Sequence, residues 1–154
     1  MAIKEILTEP NKILRQVSKP VEKVSKEEQS IMDDMLETMY AANGIGLAAP
    51  QVGDMRSVIV VDCARQAEKP APIKMANPEI IAVSPNDNTH EEGCLSFPEH
   101  YADVVRPDSI TLRYLNENNK ILENRKKLFK FLGKQNNSRG ERVWLKRRFE
   151  DYGI

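Results

Sequence analysis

The polar and apolar positions fall into one helical stretch followed by several short extended ones. Ser25-Lys26-Glu27-Glu28 has the form of a capping box, in which the serine hydroxyl accepts from the backbone and Glu28 reaches back to the serine N–H. Beyond it Ile31, Met32, Met35, Leu36, Met39 and Tyr40 recur at spacings that share one helical face, with Asp33, Asp34 and Glu37 largely on the other. Asn43-Gly44 supplies residues that tolerate a left-handed stop. The pattern predicts a helix from about Lys26 to Ala42.

After Gly44 the period changes. Ser57-Val58-Ile59-Val60-Val61 is β-branched and nearly continuous, as expected of a strand covered on both faces. Pro70, Pro72, Pro78 and Pro85 punctuate the chain beyond it, with a strand predicted from Glu79 to Val83. Ile110, Leu112 and Tyr114 alternate with Thr111, Arg113 and Leu115 into the turn-like Asn116-Glu117-Asn118-Asn119, and Lys120-Ile121-Leu122 reads as the return arm of that hairpin. The expected fold class is α+β: an N-terminal helix plus antiparallel strands. Leu128, Phe129, Phe131 and Leu132 suit a short helix stopped by Gly133, whereas 134–141 is polar and without period, so weak helix or disorder is expected there. No internal repeat or low-complexity tract occurs.

Composition adds a boundary to this picture. The 154 residues carry a formal net charge of zero, but residues 1–124 hold 13 Lys/Arg against 20 Asp/Glu, and residues 125–154 hold 10 against 3. An acidic body thus gives way to a basic block, which predicts a domain at 1–124 and a divergent basic segment at 125–154. The length suits one domain with its own core, and no apolar run is long enough to cross a bilayer, which excludes a membrane-spanning role. The N-terminus has no signal-like basic and apolar stretch, so the cytoplasm is the expected compartment. In that reducing setting Cys63 and Cys94 are expected to be buried small residues or metal ligands rather than a disulfide.

Two segments could carry chemistry. In Gly44-Ile45-Gly46-Leu47-Ala48-Ala49-Pro50-Gln51 the small residues allow close backbone approach and Gln51 offers an amide able to orient a carbonyl. The same residues equally suit a tight helix-to-strand connection with Gln51 merely exposed. In Glu91-Glu92-Gly93-Cys94-Leu95-Ser96-Phe97-Pro98 a turn around a buried thiol would suffice.

Together, in this order and about forty residues apart, the segments resemble the first two signature motifs of the peptide deformylases, metal enzymes that remove the formyl group from the initiator methionine of nascent bacterial and organellar proteins. The resemblance extends to Ile13-Leu14-Arg15, the Ser25 helix, Asn77-Pro78 and the strand around Ile110, and spans roughly residues 3–122. It implies that Cys94 is a thiolate ligand of a divalent metal (iron, zinc or similar), and that the Leu95 backbone amide and the Gln51 side-chain amide hold the oxyanion formed on the formyl carbon. Such roles suit the chemistry, since a bound metal makes water nucleophilic and fixed donors stabilise developing charge. Gly46 and Gly93 would contact the substrate, Ile45 would line the methionine pocket, and Glu92 would act at the substrate site and support the Cys94 turn.

One part of the family pattern is missing. Its third motif, His-Glu-x-Asp-His, supplies two further metal ligands four residues apart on a late helix and a glutamate for proton transfer. This sequence has only two histidines, His90 and His100, both before the predicted hairpin, and 132–141 offers no imidazole pair. A one-ligand site does not hold a catalytic metal, since such sites normally use three protein ligands. His90 and His100 are expected at the surface or core edge.

The resulting expectation is a peptide deformylase-like fold whose central motif-bearing helix is replaced or degraded, without deformylase activity and without a cofactor of its own. A change of reading frame near Asn124 would produce such a junction. Formylated peptide N-termini are the expected partners. Alternatives are a nascent-chain or ribosome-binding module, in which 125–154 contacts RNA weakly through its Lys and Arg residues with Phe129, Phe131 and Trp144 available to stack, and an active deformylase with an altered metal site. A partly exposed apolar groove and a low-stability or oligomer-prone fold are also expected.

Overall fold

The computed structural model describes residues 2–64 and 69–127, with the backbone alone for His90 and residues 125–127. The helix, α1, spans Lys26–Ala41 and opens on the anticipated capping box: Glu28 accepts from the Ser25 N–H at 2.9 Å and from its hydroxyl, while the Ser25 hydroxyl accepts from Glu27 N. Its left-handed stop is Asn43, at φ 53°. Seven strands succeed it: β1 Gly46–Ala48, β2 Val58–Val61, β3 Ile73–Val83, β4 Asp87–Cys94, β5 Phe97–Pro107, β6 Ser109–Leu115 and β7 Ile121–Lys127.

All the pairings between these strands are antiparallel. Five strands form one sheet in the order β1-β2-β3-β6-β7, and β4 and β5 pair only with each other. Because side chains alternate along a strand, β2 divides its residues between the two faces of the larger sheet. Val58 and Val60 join Met32, Met35, Leu36 and Met39 of α1 in one core cluster; Ile59 and Val61 join Ala48, Met75, Ile110, Leu112 and Tyr114 in a second. This two-sided burial explains the unbroken apolar run of β2.

Two features depart from the sequence-based reading. β3 begins at Ile73, well before Glu79, and accommodates Pro78 because its register with β6 slips between Ala76 and Glu79, where no ladder donor is needed from proline. β4 and β5 form a long hairpin where the sequence suggests only a turn, since their residues are mostly polar and exposed and lack an apolar alternation. The charge boundary at 124/125 falls inside β7, whose register continues from Leu112↔Asn124 to Thr111↔Arg125 and Ser109↔Lys127. The short helix proposed for 128–132, the polar 134–141 and the rest of the basic block lie outside the described residues. No described helix is long and apolar enough to cross a membrane.

Candidate active site

The fold brings the two glycine-containing segments together. β1 leaves α1 through Gly44, and a short 3-10 turn, Ala49–Val52, places Gln51 beneath the sheet edge with 2% of its surface exposed. The turn between β4 and β5 carries Leu95 and Ser96, directly after Cys94. A Cβ on Gly44 would lie 2.9 Å from Leu95 Cδ1, so with any larger residue there the Leu95 side chain would have to move aside. Gln51 Nε2 donates to Ser96 Oγ at 3.1 Å, and Gln51 Oε1 accepts from Ala48 N at 3.0 Å. Gln51 is therefore buried and bonded, not exposed on a loop.

The N-terminal segment ties the two motifs a second time. Leu7 N donates to Gln51 O at 2.7 Å and Glu9 N donates to Ser96 O at 3.0 Å. Gln51 and Ser96 are thus fixed through main chain and side chain alike.

The other anticipated residues surround this junction. Ile45 is buried, with its carbonyl accepting from Asp62 N at 2.8 Å, and Gly46 pairs with Val61. Gly93 and Cys94 are buried, and Cys94 pairs with Phe97 across the turn; neither Cys94 nor Cys63 is in a disulfide. Glu92 receives both Arg106 Nε at 3.0 Å and Nη2 at 3.2 Å, a buried two-pronged pair spanning β4 and β5. Burial holds the Arg106 guanidinium below its ordinary pKa.

His100 is exposed on β5, with Nδ1 2.8 Å from Pro98 O, and His90 occupies the β4 position opposite Val104. The side-chain setting expected for His90 lies outside the described residues.

Ser96 and Arg106 carry no signal of this role in the sequence. Ser96 stands in a recognised motif with no chemical mark of its own, and Arg106 is one of many arginines until its burial and its carboxylate partner are seen. Tyr40 reads from the sequence only as a helix-face residue. Its hydroxyl donates to Asp62 Oδ2 at 2.6 Å, and burial, aided by that carboxylate, raises its pKa. Asp62 also accepts from Ala64 N and Ala71 N, holding the chain that leaves β2 close beside Ile45.

A divalent metal is a poor fit to the described residues. Cys94 offers one thiol, and among the described residues no three His, Cys, Asp or Glu side chains converge as a metal site would require.

An α+β architecture with this pairing of motifs has clear relatives. In solved structures it matches the peptide deformylase from Thermotoga maritima, 34% identical with a TM-score of 0.76 over 82% of this chain and 83% of that one. It also matches a Met-Ala-Ser-bound class I type b peptide deformylase from Acinetobacter baumannii, 29% identical with a TM-score of 0.77 over 84% and 87% of the two chains. The peptide deformylase of Phenylobacterium zucineum is 57% identical over 116 residues, covering 75% of this chain and 69% of that protein. The polypeptide deformylase family model matches residues 3–130, and the chain belongs to that family.

Proposed function

We propose that this chain retains the deformylase family's recognition of a formylated N-terminal methionine and does not itself hydrolyse the formyl group. The observation that carries the reading is the Gln51–Ser96 hydrogen bond, which sets the Gln51 amide one residue from the Leu95 backbone N–H. Two neutral donors on neighbouring segments would suit a formyl oxygen. Ile45 and Gly46 would receive the methionine side chain and peptide backbone, with Gly93 on the facing wall and Glu92 bracing it through Arg106. Formylated peptide N-termini are the proposed ligands, met in the cytoplasm where nascent chains emerge. The Met-Ala-Ser-bound relative from Acinetobacter baumannii supports a peptide ligand that begins with methionine.

The proposed loss of hydrolysis rests on chemistry. With histidine only at positions 90 and 100, this sequence lacks the late His-Glu motif, and among the described residues Cys94 is not joined by enough donors for a catalytic metal. No resident cofactor is proposed, and the test is direct. The purified chain, incubated with iron(II), zinc, cobalt or nickel and a formyl-methionyl tripeptide, should release no more formate than Cys94→Ala does, yet should bind the tripeptide by calorimetry. Turnover abolished by Cys94→Ala would establish an active enzyme with an altered metal site instead.

A second reading is contact of 125–154 with ribosomal RNA, favoured by the cationic run Arg125-Lys126-Lys127 that closes β7. Salt-sensitive co-sedimentation with ribosomes, lost on deleting 125–154, would support it; no association at low salt would sink it.

A further inference from the structure

We propose that Ser96 is a positioning residue whose hydroxyl holds the Gln51 amide in the orientation that the Ala48 N–H selects, and through it supports the preference for a formylated over a free N-terminus. The inference deepens the recognition reading above and rests on it. A glutamine amide has two ends of nearly equal shape: turned one way it offers N–H donors, turned the other an acceptor oxygen. Only the first orientation can hold a formyl oxygen; the second would repel it.

Among the described residues, two contacts bear on the orientation. The Ala48 N–H can only donate, so the atom facing it at 3.0 Å is Gln51 Oε1. Nε2 is thereby directed to Ser96 Oγ, which accepts one of its two protons at 3.1 Å. Reversing the amide would set N–H against N–H at Ala48 and lose the bond to Ala48. Both side chains are essentially buried, Gln51 at 2% and Ser96 at 0% exposure, so water does not substitute for either partner. Ser96 is itself pinned through its carbonyl by Glu9 N, and Leu7 N holds the Gln51 carbonyl, so the acceptor cannot drift from the donor. A hydroxyl, unlike a methyl of similar size, gives the amide a hydrogen-bond partner in that orientation as well as filling the space.

The experiment uses the full chain with Ser96→Ala and Ser96→Thr. By calorimetry, Ser96→Ala should weaken binding of formyl-methionyl-alanyl-serine by about five- to tenfold and change binding of the unformylated tripeptide by less than about twofold, with Ser96→Thr close to the parent. An equal loss for both peptides, or no loss for either, overturns the proposal. A second readout needs no peptide. In side-chain amide NMR the two Gln51 Nε2 protons should be distinct and slow to exchange in the parent, and should broaden or exchange faster in Ser96→Ala. If they are unchanged, Ser96 does not position Gln51. A parent that fails to distinguish the formyl group refutes the proposed function instead, and the NMR result then decides the role of Ser96 by itself.

Discussion

Gln51 Nε2 and Ser96 Oγ lie 3.1 Å apart, joining two segments separated by more than forty residues. The same junction is closed on its other side by Gly44, where any Cβ would press on Leu95 Cδ1 and also meet Met39 Cγ and Met39 O at 3.4 Å. The leucine is the far end of a flexible side chain and can yield, and the two Met39 contacts are ordinary van der Waals distances. Gly44→Ala should therefore cost no more than about 1 kcal/mol, and should act chiefly by displacing the Leu95 side chain. Urea unfolding measures the first effect, and the Leu95 methyl shifts in NMR the second; a variant as stable as the parent with an unmoved Leu95 signal would show that the approach is looser than this geometry requires.

Two asparagines act as matched backbone clamps on the segment leading into α1. Asn77 accepts from Val21 N at 2.9 Å and donates to Val21 O at 2.7 Å; Asn119 does the same to Val24 at 2.6 and 2.7 Å. Both sit in the left-handed region, at φ 49° and 59°. Asn119→Gly removes the two hydrogen bonds and keeps the backbone relaxed, at a cost of about 1–2 kcal/mol, while Asn119→Ala adds the left-handed penalty of about 1 kcal/mol. Denaturant midpoints should thus rank parent above glycine above alanine. Equal midpoints for the two variants would refute the strain component.

How much of this is legible in the sequence depends on whether a segment's own pattern reports its surroundings. Val58–Val61 shows its two-sided burial in four consecutive apolar residues, and Ser25 with Glu28 announces the start of α1. The hairpin of β4 and β5 announces nothing. Its strands pair only with each other, and residues 97–103 are exposed, so no apolar alternation marks them. The candidate site is legible only through its motifs. That Gln51 is buried, that it bonds to Ser96, and that Glu92 meets Arg106 are all tertiary facts, set by contacts between residues distant in the chain that no local period encodes.

Glu28 gives the fold an acid-sensitive point. Its hydrogen bonds from Ser25, with the Arg56 guanidinium beside it, bring its pKa from an ordinary 4.5 down to about 2. A carboxyl depressed in the folded state contributes stability that is complete above the unfolded value and is lost as pH falls through the folded one. Between about pH 4.5 and 2 the parent should therefore lose stability that Glu28→Gln, already weaker at neutral pH, no longer has to lose. Thermal melts across that window should converge for the two proteins. A constant gap down to pH 2 would mean that the capping carboxylate is not responsible.

The Glu92–Arg106 pair bears on both stability and the Cys94 turn. Its side chains are 3% and 7% exposed, and the two hydrogen bonds cross from β4 to β5 two residues before Cys94. A buried ion pair contributes little net stability relative to apolar residues of similar volume, because desolvation offsets the attraction; removing one partner is another matter, since a buried charge is then left uncompensated. Arg106→Met should cost about 3–5 kcal/mol, and Glu92→Leu with Arg106→Met should recover most of that loss. The Cys94 thiol offers a local readout. It is 6% exposed in the intact hairpin, so its reaction with a disulfide reagent should be slow in the parent, much faster in Arg106→Met, and slow again in the double variant. If the single variant unfolds more easily but Cys94 stays protected at low denaturant, the pair stabilises the domain without holding the turn. If the double variant is no better than the single one, the charge pair itself, and not merely its neutralisation, is what the hairpin requires.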